Sequence, residues 1–424
     1  MRLTRCGIVT ALSLVAAPAI ATAQPTDEDE TGDTGTVHES DEVIGPDGTE
    51  PPPDDQPPPD DQPPPDAATP APTGNAGYDK GFFVKSDDGK FALHLKARVQ
   101  PYGAFTRTAG PEKEWKGAFE IRRARVVLDG NLHGDDLLYK LQVDLGKGNL
   151  TLKDYYVDTR LGGDIWLRAG QWKRPFSRQQ ITSSGKLELA DRAITDKGFG
   201  AGRDIGLAIH NGYEDSPPIE WAVGVWNGTG IDPVIKVNVD PLGTGSGTIT
   251  NVPAEFRPAF IGRVGLNSDK VKGYSEADLE GGPLRWSAAA SFWAETNFDE
   301  DDTSNDRLQL DYLIKAQGFS STGGFYAMTR QAGVHPLSDQ ELAYIGFHLQ
   351  AGYMINPRWQ GLARFAMIDG RPADLTDTKE ITVGGSYYRW GHDAKIQGDI
   401  RLLKTGDGKF TDNILFELGT NVGF

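Results

Sequence analysis

The sequence predicts an all-β protein, a transmembrane antiparallel β-barrel of sixteen strands. Three observations carry this. Residues 78–424 contain many segments of about ten residues that alternate in polarity, as barrel strands do when one face meets lipid and the other water. They contain no apolar run of about 18 residues, so no helix is expected to cross a bilayer. The last segment, Asn413 to Phe424, puts Phe416, Leu418, Val422 and Phe424 on one face at a period of two. An aromatic-terminated strand of this kind suits a bacterial outer-membrane barrel, with Phe424 as the signal read by the barrel assembly machinery. A soluble sandwich also alternates, with its apolar face inward, so periodicity alone leaves that alternative open.

The chain begins with Arg2 and Arg5, followed by the short apolar stretch Ile8 to Ile20 and the small-x-small site Ala21-Thr22-Ala23. These are the parts of a signal peptide over 1–23, with the mature chain starting at Gln24. Cys6, the single cysteine, leaves with it, which excludes catalytic thiols, disulfides and thiolate metal sites. Residues 24–77 hold 15 acidic residues and no Lys or Arg, and repeat Pro-Pro-Pro-Asp-Asp-Gln from Pro51 and from Pro57. Such a segment cannot bury a core and favours extended polyproline II, so it reads as a disordered, acidic periplasmic linker. The formal net charge of −17 is concentrated there; residues 78–424 carry −4. A calcium or partner site in the linker is the alternative to a solvated spacer.

Within 78–424 strands are expected near 91–105, 117–132, 136–146, 150–161, 164–174, 204–212, 218–227, 256–267, 283–295, 305–318, 322–333, 340–355, 357–368, 379–390, 393–404 and 412–424. The number is even, as single-chain bacterial barrels require. Short connections such as His133-Gly-Asp, Gly162-Gly163, Asn356-Pro357 and Gly391-His392 fall at one end, and longer loops at the other. Two connections break the pattern: a long stretch at 269–282 at the short-turn end and the short Gly146–Asn149 at the long-loop end. The lumen of such a barrel is too wide for strand side chains to fill. The mixed-charge loop at 175–203, with Arg178, Lys186, Arg192, Lys197 and Arg203 among Glu188, Asp191 and Asp196, can narrow it by folding inward, or can lie on the surface.

Positive charge is concentrated early. Residues 78–178 contain 19 Lys and Arg against 13 Asp and Glu. Lys96, Arg98, Arg123, Arg125, Lys140 and Arg168 fall on expected lumen faces, where a column of cations offers an anion successive weak sites. The competing reading pairs them with Asp129, Asp144, Asp154 and Asp158 as structural ion pairs.

Several segments carry a family resemblance in order: Phe119-Glu-Ile-Arg-Arg-Ala-Arg-Val-Val-Leu-Asp-Gly130, Tyr139-Lys-Leu-Gln-Val-Asp144, Lys153-Asp-Tyr-Tyr-Val157, Leu167-Arg-Ala-Gly-Gln-Trp-Lys-Arg-Pro-Phe176, Thr182-Ser-Ser184 and Arg203-Asp-Ile-Gly206. The set resembles the phosphate-selective porins O and P, closely over 117–212 and more loosely from 78 to 424. The resemblance implies a sixteen-stranded porin of the Gram-negative outer membrane, a homotrimer, with an inward-folded third extracellular loop. It also implies anion-binding Arg123, Arg125, Lys140 and Arg168, with Lys186 in the matching loop. The expected function is passive diffusion of small solutes with weak anion selectivity, phosphate-like oxyanions included. No cofactor, metal or nucleic acid is expected; the partners are small anionic solutes and outer-membrane lipid. Two alternatives stand beside it. A barrel enzyme needs a nucleophile with a base in reach, and the six histidines of 78–424 show no clustered spacing and no Gly-x-Ser-x-Gly elbow. A structural or adhesive barrel would use the linker to hold the periplasmic wall.

Overall fold

The computed structural model describes residues 74–108, 114–148, 150–228, 235–238, 246–249, 256, 258–295, 305–331, 341–371 and 377–424. The signal segment, nearly all of the acidic linker and the Asp299-Glu-Asp-Asp302 loop lie outside them. In chain order the strands are β1 (Ala76–Tyr78), β2 (Phe82–Lys85), β3 (Ala92–Arg107), β4 (Trp115–Asn131), β5 (Leu137–Asp144), β6 (Leu150–Gly162), β7 (Ile165–Lys173), β8 (Arg203–His210), β9 (Ile219–Trp226), β10 (Ile235–Asn238), β11 (Ser246–Ile249), β12 (Ala259–Asn267), β13 (Arg285–Glu295), β14 (Asn305–Ala316), β15 (Phe319–Gln331), β16 (Glu341–Met354), β17 (Trp359–Arg371), β18 (Thr378–Trp390), β19 (Ala394–Thr405) and β20 (Asn413–Gly423).

Sixteen of these are barrel staves: β3–β9 and β12–β20. Each pairs antiparallel with its chain neighbour, and β20 pairs with β3 to close the sheet. Closure gives every stave a partner on both sides, the condition for a sheet to span lipid; β4 extends past β5, which covers it only from Arg125 to Asn131. The expected staves are matched within a few residues at each end. Two hairpins were not expected. β10 and β11 lie in the long connection after β9, and β1 and β2 precede the first stave. The linker boundary at 77 therefore moves, because Ala76 and Gly77 already pair with Val84 and Phe83.

β2 has a structural task. β20 covers β3 only from Arg98 to Arg107, and β2 covers Ala92 to Leu95. Phe424 bridges the two, exchanging backbone hydrogen bonds with Ala97 at 3.0 and 3.2 Å and setting its ring 5.3 Å from that of Phe82.

Side chains follow the pleat. Outward positions such as Phe260, Phe292, Leu310, Leu349 and Val383 are exposed and apolar. The alternate positions, such as Arg263, Ser291, Gln309, Gln350 and Thr382, are polar and buried. A soluble sandwich would reverse this polarity. Trp286, Tyr353, Trp359 and Trp390 are exposed near the short-turn ends of their staves, as an interfacial aromatic girdle requires. The short turns take positive φ: Gln317 at 50° and Gly318 at 83° join β14 to β15, the twist-matched geometry of a two-residue hairpin, in which the glycine is the unstrained position.

Pro101 interrupts the pleat. It has no N–H to give the ladder, which confines proline in sheets to edges and bulges. The register passes from Gln100 opposite Arg123 to Pro101 opposite Ile121, leaving Arg122 as the extra residue. Phe119, 77% exposed, and Ile121 then face outward, while both Arg122 and Arg123 turn into the lumen, where each finds polar partners. Without the bulge, Phe119 and Arg123 would share a face.

Candidate functional site: the lumen and its third loop

The connection from β7 to β8, residues 174–202, folds into the lumen. Two short helices, α1 (Arg178–Ile181) and α2 (Ile194–Phe199), stiffen it. Its apolar residues explain the inward fold better than its charges do. Phe176, Phe199 and Ala201 are buried in one cluster with Trp172, Trp226, Ile261, Trp293 and Tyr326 of the staves. Phe199 stacks on Tyr326 at 5.2 Å, and Phe176 meets Trp293 edge-on at 5.9 Å. Bulky aromatics on a lumen face would be left in water unless a loop covered them.

Loop and wall are also joined by buried polar contacts. Arg364 pairs with Glu380 at 2.6 Å and donates to the Asp191 carbonyl at 2.8 Å. On the wall itself Arg263 pairs with Glu220 at 2.9 Å and Asp311 at 2.7 Å, which sets Asp311 to receive the loop. The Arg178 N–H donates to Asp311 at 2.9 Å. Gln397 donates to the Leu187 carbonyl at 3.0 Å. From β12 to β19 the lumen face is thereby closed to water; the Gln309, Gln350 and Glu380 side chains are all inaccessible.

The wall from β3 to β6 remains open, with the Lys96 side chain 37% accessible and Lys140 30%. The sequence-derived cations are all here or beside it. Four are paired: Lys96 with Asp129 at 2.7 Å, Arg125 with Asp144 at 2.7 Å, Lys140 with Asp154 at 3.8 Å, and Arg168 with Asp158 at 2.7 Å and Glu214 at 3.0 Å. These are the four aspartates that the structural alternative named.

Two are different. Arg98 donates to the Ser183 and Ser184 hydroxyls at 2.9 and 3.0 Å, and Arg123 to Gln100 Oε1 at 3.1 Å. Among the described residues no carboxylate lies within 4 Å of either. Arg98 stands directly across the ladder from Arg125, a like-charge pair that costs stability unless another charge offsets it. Arg192 and Arg203 lie in the same positive region, each beside a carboxylate: Asp196 is 3.4 Å from Arg192, and Asp154, which Lys140 also approaches, is 2.7 Å from Arg203. Lys173 joins it, its Nζ held by the carbonyls of Ile181 and Thr182 at 3.1 and 3.0 Å. Lys186 is exposed, with no carboxylate within 4 Å among the described residues.

Arg122 was missed from the sequence, because simple alternation allows only one of two adjacent arginines to face inward. It holds the loop to the open wall, pairing with Asp191 at 2.7 Å and stacking on Tyr102 at 4.3 Å. Burial opposes the charged form of Asp191, yet Lys197 and Arg122 hold its carboxyl well below the usual range. Asp196 fares differently. Burial pushes it up to about 6 against the opposing pull of Arg192 and Lys173.

A closed sixteen-stranded barrel with an apolar outer band and a loop folded across its lumen is an outer-membrane porin, a passive diffusion channel. The family model for phosphate-selective porin O and P matches residues 96–381, and the chain belongs to that family. No curated protein sequence matches it. Among solved structures it is similar to the outer membrane channel DcaP of Acinetobacter baumannii, at 13% identity and TM-score 0.54, covering 80% of this chain and 99% of that one. It is similar to the in-vitro folded OmpT of Vibrio cholerae at 9% identity and TM-score 0.52, over 81% and 99%. It is also similar to an anion-selective porin from Comamonas acidovorans at 13% identity and TM-score 0.50, over 78% and 99%. At these identities the likeness is one of fold.

Proposed function

We propose that this porin conducts small solutes along the β3–β6 wall with weak anion preference, and that Arg98 and Arg123 set the preference. The observation that carries the reading is the contrast on that wall: four cations have an aspartate within 4 Å, and Arg98 and Arg123 have none among the described residues. Local charge at the narrow part of a pore decides which ions enter, while charges more than about 8–10 Å away are screened in physiological salt. The −4 of residues 78–424 does not oppose this, since residues 78–178 hold 19 Lys and Arg against 13 Asp and Glu and the acidic excess lies in later segments. The roles of the other sequence-derived residues follow their partners. Lys96, Arg125, Lys140 and Arg168 shape the wall as ion pairs, and Lys186 adds charge at a water-accessible part of the loop. Phosphate and similar oxyanions suit the planar guanidinium forks of Arg98 and Arg123, which can bind two oxygens of one anion at once. The acidic segment 24–73 serves as a spacer, Phe424 as the assembly signal, and the channel works as a homotrimer.

Family membership and fold point to a channel rather than an enzyme. The test is the zero-current potential in planar bilayers under a KCl gradient. The reading expects the sign of an anion-preferring pore, and a cation-preferring parent channel would overturn it.

A further inference from the structure

The connection between β12 and β13, residues 268–284, is the longest at the short-turn end, and it does not hang outside the barrel. Tyr274, Glu276 and Asp278 are buried within it. Its base is tied to the wall: Asp278 pairs with Arg285 and accepts the Gly318 N–H at 2.9 Å. Its tip reaches the third loop. The Glu276 N–H donates to the Lys186 carbonyl at 3.3 Å, and the Glu188 N–H donates to Glu276 Oε2 at 2.8 Å. Gln350 clamps the two carboxylates together, donating to Glu188 at 2.9 Å and to Glu276 at 3.1 Å. Tyr274 supports the loop at a second point, with Arg178 stacked 4.3 Å over its ring.

We propose that this periplasmic connection is a latch for the third loop, and that Glu276 is the positioning residue that fixes where the constriction sits. The chain of contacts is short. Glu276 holds Lys186 and Glu188. Lys186 in turn donates its N–H to the Ser183 carbonyl at 2.8 Å, and Ser183 and Ser184 receive Arg98. Loosening Glu276 therefore loosens the segment that orients one of the two cations without a carboxylate. The wall holds the middle of the loop from the side, Gln397 at the Leu187 carbonyl and Gln360 and Ser386 at Glu188. The latch adds a support from the opposite end of the barrel, next to Lys186 and the serines. Burial, and then the neighbouring Glu276, raise the proton affinity of Glu188, consistent with two carboxyl groups drawn into one site.

The inference rests on the porin reading for its consequence in selectivity, but current stability tests the latch in any open channel, whatever its ion preference. The experiment compares the parent, Glu276→Ala and Glu276→Gln as single channels in planar bilayers. Heat-modifiable migration checks that each barrel is closed. Loss of a buried hydrogen bond to a charged acceptor is expected to raise the population of displaced loop roughly ten- to a hundredfold. Glu276→Ala should then flicker between current levels and lose part of the parent's ion preference. Glu276→Gln, which keeps an acceptor, should behave as the parent. Glu276→Ala with the parent's steady current overturns the latch, and so does Glu276→Gln as disturbed as Glu276→Ala. Should Glu276→Ala fail to assemble, amide exchange on the parent decides. The Glu188 and Glu276 N–H groups are expected to exchange slowly and together, and rapid exchange at either overturns the proposal.

Discussion

Arg98 and Arg125 face each other across one rung of the ladder, yet their consequences differ because only Arg125 has a carboxylate, Asp144 at 2.7 Å. Changing Arg98 and Arg123 together to glutamine is expected to move the zero-current potential toward cation preference while heat resistance stays near that of the parent. Changing Arg125 to glutamine strands Asp144 in a poorly hydrated site. That should cost on the order of 3 kcal/mol, read as a lower temperature for loss of the folded band. If the double substitution leaves the potential unmoved, the two arginines are structural. At the same scale, Asp196 bears a negative charge beside Arg192 above about pH 6 and loses it below. Protonation makes the cationic region more positive, so anion preference should rise as pH falls from 7.5 to 5. Asp196→Asn should remove most of that change, and a profile identical to the parent's would rule out this carboxyl as the source.

The third loop is an element held by packing as much as by charge. Phe199 is buried against Tyr326 and Arg307 donates to its carbonyl at 2.9 Å. Truncating a buried phenylalanine costs about 3–5 kcal/mol, a large part of the packing that holds the loop beside its polar contacts. Phe199→Ala is therefore expected to widen the constriction, with larger single-channel conductance and weaker ion preference from a barrel that still closes. Unchanged conductance in the folded variant would mean that polar contacts alone hold the loop. The β4 bulge makes a sharper demand. Deleting Arg122 removes the extra residue and leaves Phe119 and Arg123 on their present faces, so the barrel should still assemble. Inserting one residue between Arg125 and Val126 exchanges the lipid and lumen faces on one side of it and should prevent assembly, as judged by outer-membrane recovery.

For the whole molecule, closure of the sheet governs survival. Deleting residues 27–73 retains β1 and β2 and should leave both conductance and heat resistance near those of the parent. Extending the deletion to residue 85 uncovers the β3 edge from Ala92 to Leu95 and takes Phe82 from Phe424. Exposed backbone in or near lipid is costly, so the larger deletion is expected to lower the melting temperature of the folded band in denaturing gels. Equal melting of the two deletions would show that β20 and β3 close the barrel unaided.

By itself the sequence determined the strand count, the lipid and lumen faces, the order of short turns and long loops, and the family. Each of these rests on local periodicity or on ordered motifs, and a period of two survives whatever the neighbouring strands do. It also marked Lys96, Arg98, Arg123, Arg125, Lys140 and Arg168 as lumen cations, and it named the aspartates that could neutralise them. Only the tertiary structure shows which of them meet a carboxylate: partners such as Arg168 and Asp158 meet because adjacent staves come into register, while Arg98 meets two serines 85 and 86 residues away. Arg122 was hidden because a bulge breaks the alternation, although Pro101 in a stave was a legible hint. Glu276 carried no signal, since its meeting with Glu188 spans 88 residues and depends on two connections entering the lumen from opposite ends. Periodicity is written residue by residue along the chain; which charges are left without a partner is settled only when the sheet has closed around them.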